Sequence, residues 1–287
     1  MHDLLLDAAE RAIRYLDTVA GRNVTPTAAA LAALAQLDEA LPAQPSDPEE
    51  TLTLLDEIGS PATVASAGPR YFGFVTGGSL PVTVAANWLA GAWDNNGAFS
   101  VMSPLGATLE QVSLRWLVEL FGLPAGTGGG FVTGATMANL TGLAAARHFL
   151  LARQGWDAEA QGLFGAPPLS VVVGDEVHVS LLKALSLLGL GRERVVCVPT
   201  DGQGRMRPDA LPRLDERSLL CLQAGNVNTG ACDPLAPLVA AAREAGAWVH
   251  VDGAFGMWAA AAPERAQLVA GPGEADSWPT DSHKWLN

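Results

Sequence analysis

Asp281-Ser282-His283-Lys284-Trp285-Leu286-Asn287 decides the fold when read with the upstream stretch Val249-His250-Val251-Asp252-Gly253-Ala254-Phe255-Gly256. Lys284 is one of only two lysines in 287 residues. The upstream stretch is a short apolar run closing on an aspartate, the pattern of a buried strand with a carboxylate at its end. Such a carboxylate is costly to bury unless it meets a cation or a protonated ring nitrogen. Gly253 and Ala254 leave room for a flat ring close to the backbone. An aspartate capping a turn fits the same residues. Lys284, flanked by His283, Trp285 and Leu286, fits poorly as an ordinary surface lysine. The neutral amine of such a lysine attacks a carbonyl and forms a Schiff base.

Working outward, the middle of the chain alternates short β-rich runs with helical segments. Strands are expected at Leu169–Val173, Arg194–Val198, Ser218–Gln223 and Trp248–Val251, with helices near 176–189 and 234–245. Near-continuous apolar strands between helices predict an α/β fold, a mostly parallel sheet flanked by helices on both faces. Ser103-Pro104 starts a helix that should run to about Phe121, before Gly122 and Pro124. Residues 3–20 carry Leu5, Leu6, Ala9, Ile13 and Leu16 at helical spacing. A Pro-, Thr- and Ala-rich linker with one short helix follows over 21–48, then a helix over 48–59 and a loop over 61–80. The expected division is an N-terminal helical segment and linker over 1–60 and a ligand-binding domain over 61–287.

Ligands of such sheets bind beyond the carboxyl ends of the strands. Gly128-Gly129-Gly130-Phe131-Val132-Thr133-Gly134-Ala135-Thr136-Met137-Ala138-Asn139 can bring backbone N–H groups and a helix N-terminus to a phosphate. It is neither a Walker A loop nor G-x-G-x-x-G, and it also fits an ordinary glycine-rich turn. His178, in Asp175-Glu176-Val177-His178, follows a strand and can stack on a planar ring. Alone it reads as a helix-start histidine with a structural hydrogen bond.

Composition narrows the classes of function. Asp plus Glu number 30 against 17 Lys plus Arg, a net charge of −13, which argues against nucleic-acid or anionic-membrane partners. Hydrophobic residues make up 49% and charged residues 16%, the balance of an ordered globular chain. Cys197, Cys221 and Cys232 form no C-x-x-C pair, so no metal site is expected. The start lacks the basic region of a signal peptide, and no run of 18 apolar residues occurs. A cytoplasmic setting is the expectation.

The ordered set of glycine loop, strand-following histidine, strand-end aspartate and Ser-His-Lys-Trp resembles one family. It is similar to the group II amino-acid decarboxylases, pyridoxal-phosphate enzymes of the aspartate aminotransferase fold (fold type I). Gly225-Asn226-Val227-Asn228-Thr229-Gly230 and Tyr71-Phe72-Gly73-Phe74 extend the likeness, which runs from about residue 50 onward. The resemblance implies decarboxylation of an L-amino acid to its amine and carbon dioxide, with pyridoxal 5'-phosphate held on Lys284 as a Schiff base. It implies that Asp252 pairs with the ring nitrogen and that Ala254 and His178 lie on opposite ring faces. It further implies that Gly134, Ala135, Thr136 and His283 hold the phosphate and that Asn226 contacts the cofactor. Met137 departs from an acidic residue common in the animal enzymes. The family pattern also implies a homodimer and a smaller C-terminal domain, absent from this sequence, so that the chain reads as truncated after the cofactor lysine. Another lyase, an aldehyde synthase or an aminotransferase on the same scaffold, or a cofactor-binding fragment without turnover, remain as alternatives.

Overall fold

Four strands form one fully parallel sheet: β1 (Ser170–Gly174), β2 (Val196–Val198), β3 (Ser218–Gln223) and β4 (Trp248–Asp252), in the order β2-β1-β3-β4. The computed structural model describes residues 1–286. Helices α6 (Ala135–Ala152), α8 (Val179–Leu187) and α9 (Leu235–Glu244) cover the sheet, and a short α7 (Ala158–Gln161) precedes β1. Alternation along each strand sorts its side chains between the two faces. Val171, Val173, Leu219 and Cys221 pack against Leu143, Ala146 and Leu150 of α6 and Leu181 and Leu185 of α8. Val172, Leu220, Leu222, Val249 and Val251 pack against Leu235, Leu238 and Val239 of α9. Each fully buried leucine or valine contributes about 2 kcal/mol by the apolar area it removes from water. This double cover explains why the strands read as continuous apolar runs.

The β4 side chains facing α6 and α8 break the rule. Trp248, His250 and Asp252 occupy that face, so a polar strip runs through an otherwise apolar layer. Register pairs Gln223 with Asp252 and Val173 with Cys221, so the carboxyl ends of β1, β3 and β4 finish side by side.

The segment after β4 folds back beside it. Three 3-10 turns follow, and Ser277 then pairs with His250 in parallel, with Val251 N–H donating to Ser277 O at 2.9 Å and Gly253 N–H to Pro279 O at 3.2 Å. This extended segment leads into the short helix α10 (Ser282–Trp285) and delivers Lys284 to the strand ends.

By packing, the chain divides into two units, Met1–Val84 and Ala85–Trp285. The division falls well beyond the 60/61 boundary expected from sequence. In the first unit, α1 (His2–Thr18) meets α3 (Pro48–Leu54) through Arg11, whose guanidinium reaches Asp56 and Thr53, each at 3.0 Å. A six-residue α2 (Ala28–Ala33) lies between them in sequence. Of the loop expected over 61–80, residues 61 and 62 belong to a 3-10 turn (Ser60–Ala62) and 63–80 carry no helix or strand; Ala65 N–H donates to Val24 O at 3.1 Å. That bond fastens the loop onto the N-terminal segment. Helix α4 (Pro81–Trp93) was not anticipated from sequence: it has no charged residue and so no amphipathic stripe to read. Helix α5 (Pro104–Leu120) begins where expected, with Ser103 Oγ accepting the Gly106 N–H at 3.2 Å.

Candidate active site

Asp252 ends β4 almost completely buried, 5% exposed. Its Oδ2 accepts from Asn139 Nδ2 at 3.2 Å and its Oδ1 from the Ala254 N–H at 3.2 Å. Burial pushes its carboxyl above the usual carboxylate range, opposed by the two hydrogen bonds and by the nearby His178 and Lys284 side chains. No ion pair to Asp252 occurs among the described residues. The carboxylate therefore faces its cleft with two neutral donors and unmet capacity for a cationic one.

That cleft is narrow, about 30 Å³, and its walls include Ala135, His178, Gly225, Ala254, Phe255 and Lys284. Lys284 Nζ lies 5.9 Å from the centre of the Phe255 ring. The chain is pinned on both sides of it: Asp281 N–H donates to Ala254 O at 2.9 Å and Trp285 Nε1 to Phe255 O at 2.9 Å. His178 is the cap residue of α8, and its Nδ1 accepts the Ser180 N–H at 3.2 Å. Sequence suggested either a ring-stacking or a helix-capping histidine; the cap is present, and the ring also borders the cleft.

Helix α6 meets the cleft with an uncapped N-terminus. Gly134, at φ 118°, turns the chain into the helix in a conformation that L side chains rarely adopt, and it offers no side-chain cap. The N–H groups of Met137 and Ala138 bond back to Gly134 O. Those of Ala135 and Thr136 have no acceptor among the described residues. Two free donors at the positive end of an 18-residue helix suit an anion.

Three expected residues lie elsewhere. Asn226 is buried between Gly225 and Val227, but its amide is committed: Nδ2 donates to Glu176 at 2.9 Å, and Oδ1 accepts from Asn228 and Thr229 N–H at 2.9 and 3.2 Å. An asparagine in such a turn satisfies its own backbone first. His283 Nε2 pairs with Asp281 at 3.0 Å, and the ring is half exposed. Gly134 and His283 border a separate cavity of about 790 Å³ lined by α5, the glycine segment and residues 275–283. Asp252 and Lys284 both lie on the smaller cleft.

Sequence reading passed over Asn139, His250, Ser180 and Ser277. His250 carried a signal: two positions before Asp252 in a strand, it must share Asp252's face. Asn139 carried none, since its partner is 113 positions away.

The pyridoxal-dependent decarboxylase conserved domain matches residues 31–287. The chain belongs to the pyridoxal-dependent decarboxylase family. It is 29% identical to an aromatic-L-amino-acid decarboxylase of Bacillus atrophaeus over 100% of this chain and 59% of that protein. It is 31% identical to a phenylacetaldehyde synthase of Arabidopsis thaliana over 87% of this chain and 54% of that protein. The chain thus spans little more than half the length of these relatives. Among solved structures, Oryza sativa TDC with PLP and tryptamine superposes with a TM-score of 0.84 at 25% identity, covering 99% of this chain and 63% of that one. The family cofactor is pyridoxal 5'-phosphate, and the residues present fit it: a buried carboxylate without an ion pair, the N-terminal end of α6 at Ala135, a small flanking side chain at Ala254 and a primary amine meet in one cleft. No helix among the described residues is long and apolar enough to cross a membrane.

Proposed function

We propose that this chain carries the cofactor site of a decarboxylase that converts an L-amino acid to its amine and carbon dioxide. One observation carries the reading: a buried carboxylate without a cationic partner, Asp252, shares a cleft with Lys284. When bound, pyridoxal phosphate supplies the sink for the electron pair released as the bond from Cα to the carboxylate breaks.

The chain's own residues have distinct parts in this proposal. Asp252 holds a proton on the ring nitrogen, where opposite charge at close range in a buried site is strongly favourable. Ala135 and Thr136 N–H, with the Thr136 hydroxyl, bind the phosphate. His178 covers one ring face and Ala254 permits close approach on the other. The ε-amine of Lys284 would hold the cofactor covalently and, once released, would move a proton at Cα. The whole protein acts as a homodimer in this reading, which sedimentation of the purified enzyme tests.

A second reading is favoured by one relative, the phenylacetaldehyde synthase. Incubating the holoenzyme with each proteinogenic L-amino acid and assaying carbon dioxide, amine and aldehyde separates the two. Amine with equal carbon dioxide supports the decarboxylase; aldehyde as the main product replaces it. Oxo acid without carbon dioxide would sink both.

A further inference from the structure

A chain of hydrogen bonds runs beneath the cleft floor. Trp248 Nε1 donates to Ser277 Oγ at 3.0 Å, and Ser277 Oγ lies 2.8 Å from His250 Nδ1. His250 Nε2 is 2.9 Å from Asn139 Oδ1. Asn139 Nδ2 reaches Asp252 Oδ2 at 3.2 Å and Ser180 Oγ at 3.4 Å, and Ser180 Oγ is 2.7 Å from His178 Nδ1. Asn139 and His250 are fully buried. Neither belongs to the cofactor roles assigned above.

With Asp252 ionised, one order of protons satisfies every atom. An indole N–H only donates, so Ser277 Oγ accepts from Trp248 and has its own hydrogen left for His250 Nδ1. Burial holds the His250 pKa down at about 3, so the ring is neutral and carries one N–H. That N–H sits on Nε2 and is accepted by Asn139 Oδ1. The amide NH2 of Asn139 then faces Asp252 and Ser180, as an anionic acceptor requires. Ser180 Oγ accepts from Asn139 and donates to His178 Nδ1, which also takes the Ser180 backbone N–H. His178 is left with its proton on Nε2. Reversing the Asn139 amide would set its oxygen against the carboxylate and leave buried donors and acceptors unmatched.

The helix is shaped to admit this arrangement. A Cβ at Gly142 would lie 2.9 Å from His250 Cε1 and 3.1 Å from Nδ1. Glycine inside a helix ordinarily costs about 1 kcal/mol relative to alanine. Here its missing side chain is the space the imidazole occupies.

We propose that His250 and Asn139 are positioning residues of the cofactor site, a relay that orients Asp252 as an ionised acceptor and holds His178 as the Nε2–H tautomer. The proposal rests on the cofactor roles assigned above to Asp252 and His178. A structural role alone would be served by any apolar packing of similar volume.

The test begins without cofactor. Nitrogen-15 NMR of histidine-labelled parent protein at pH 8 should show His250 and His178 both protonated on Nε2 and bare on Nδ1. Either ring found with its proton on Nδ1 overturns the relay, and no variant needs to fold for that result. His250→Gln keeps a donor where Nε2 stood, whereas His250→Phe keeps volume only. In holoenzyme, His250→Phe should lower kcat about tenfold, the scale of a lost hydrogen bond to a charged group, and shift the cofactor absorption band. His250→Gln should restore the parental band and most of kcat. His250→Phe with the parental band, and with His178 still protonated on Nε2, would reduce the pair to packing. Failure of the parent to bind cofactor would overturn the functional reading instead, and the tautomer result would still decide the relay.

Discussion

Trp285 is joined to Phe255 by an indole N–H that donates to the backbone oxygen at 2.9 Å, across 30 positions of sequence. Helix α10 has only four residues and cannot hold its own shape. This bond, with the Asp281 to Ala254 bond at 2.9 Å, fixes the backbone on either side of Lys284. Trp285→Phe keeps the ring and removes the donor. A lost hydrogen bond of about 1 kcal/mol predicts roughly fivefold weaker cofactor retention, measured by equilibrium dialysis. Unchanged retention would mean that α10 is held by other contacts.

Covalent capture should be confined to one lysine. Borohydride reduction of the yellow holoenzyme is expected to label Lys284 and leave Lys183, on α8, unmodified. Lys284→Ala should be colourless after dialysis. Peptide mapping that finds the label on Lys183 would contradict the assignment of the site.

Asp252→Asn is expected to bind pyridoxal phosphate but to lower kcat about 100-fold, because a buried charge-assisted hydrogen bond is worth about 3 kcal/mol. Stopped-flow turnover at saturating cofactor checks this. Near-parental kcat would remove Asp252 from the chemistry.

Acid should weaken the cofactor-free fold through His250. Its pKa is about 3 in the fold against 6.5 for a free imidazole. Between those values the unfolded chain binds more protons, so this residue lowers stability as pH falls, by up to about 1.4 kcal/mol per pH unit. Asp252, with a raised pKa in the fold, acts in the opposite sense and loses stability as pH rises above the range of a free aspartate. Urea denaturation at pH 7, 6 and 5 should show His250→Gln with the flatter profile. Parallel profiles would contradict a neutral, buried imidazole.

Gly256→Ala should destabilise the protein severely, by about 3 kcal/mol. The added Cβ would overlap the Ala224 carbonyl, which is backbone and cannot swing aside. Thermal melting measures the loss, and a variant that melts with the parent would show that the turn after β4 yields.

Much of the frame was readable along the chain. Ser218–Gln223 has the strand bounds that its apolar run implies, and Ser103-Pro104 starts α5 because cap and first-turn chemistry are local. Asp252 stood out because a carboxylate after a buried run is costly wherever the chain goes. Helix α4 went unread, because Pro81–Trp93 has no polar face to set a period.

The sequence by itself determined a parallel α/β sheet, a carboxylate at a strand end and a lysine set among His283, Trp285 and Leu286, because periodicity, caps and burial cost act over a few residues. Tertiary structure alone decided the order β2-β1-β3-β4, the return of residues 276–280 alongside β4 and the turning of Asn226 toward Glu176. It also decided that Asn139 meets both His250 and Asp252, 111 and 113 positions away. Such contacts are set when whole layers pack, and the direction of each hydrogen bond follows only once every buried donor and acceptor must be matched together.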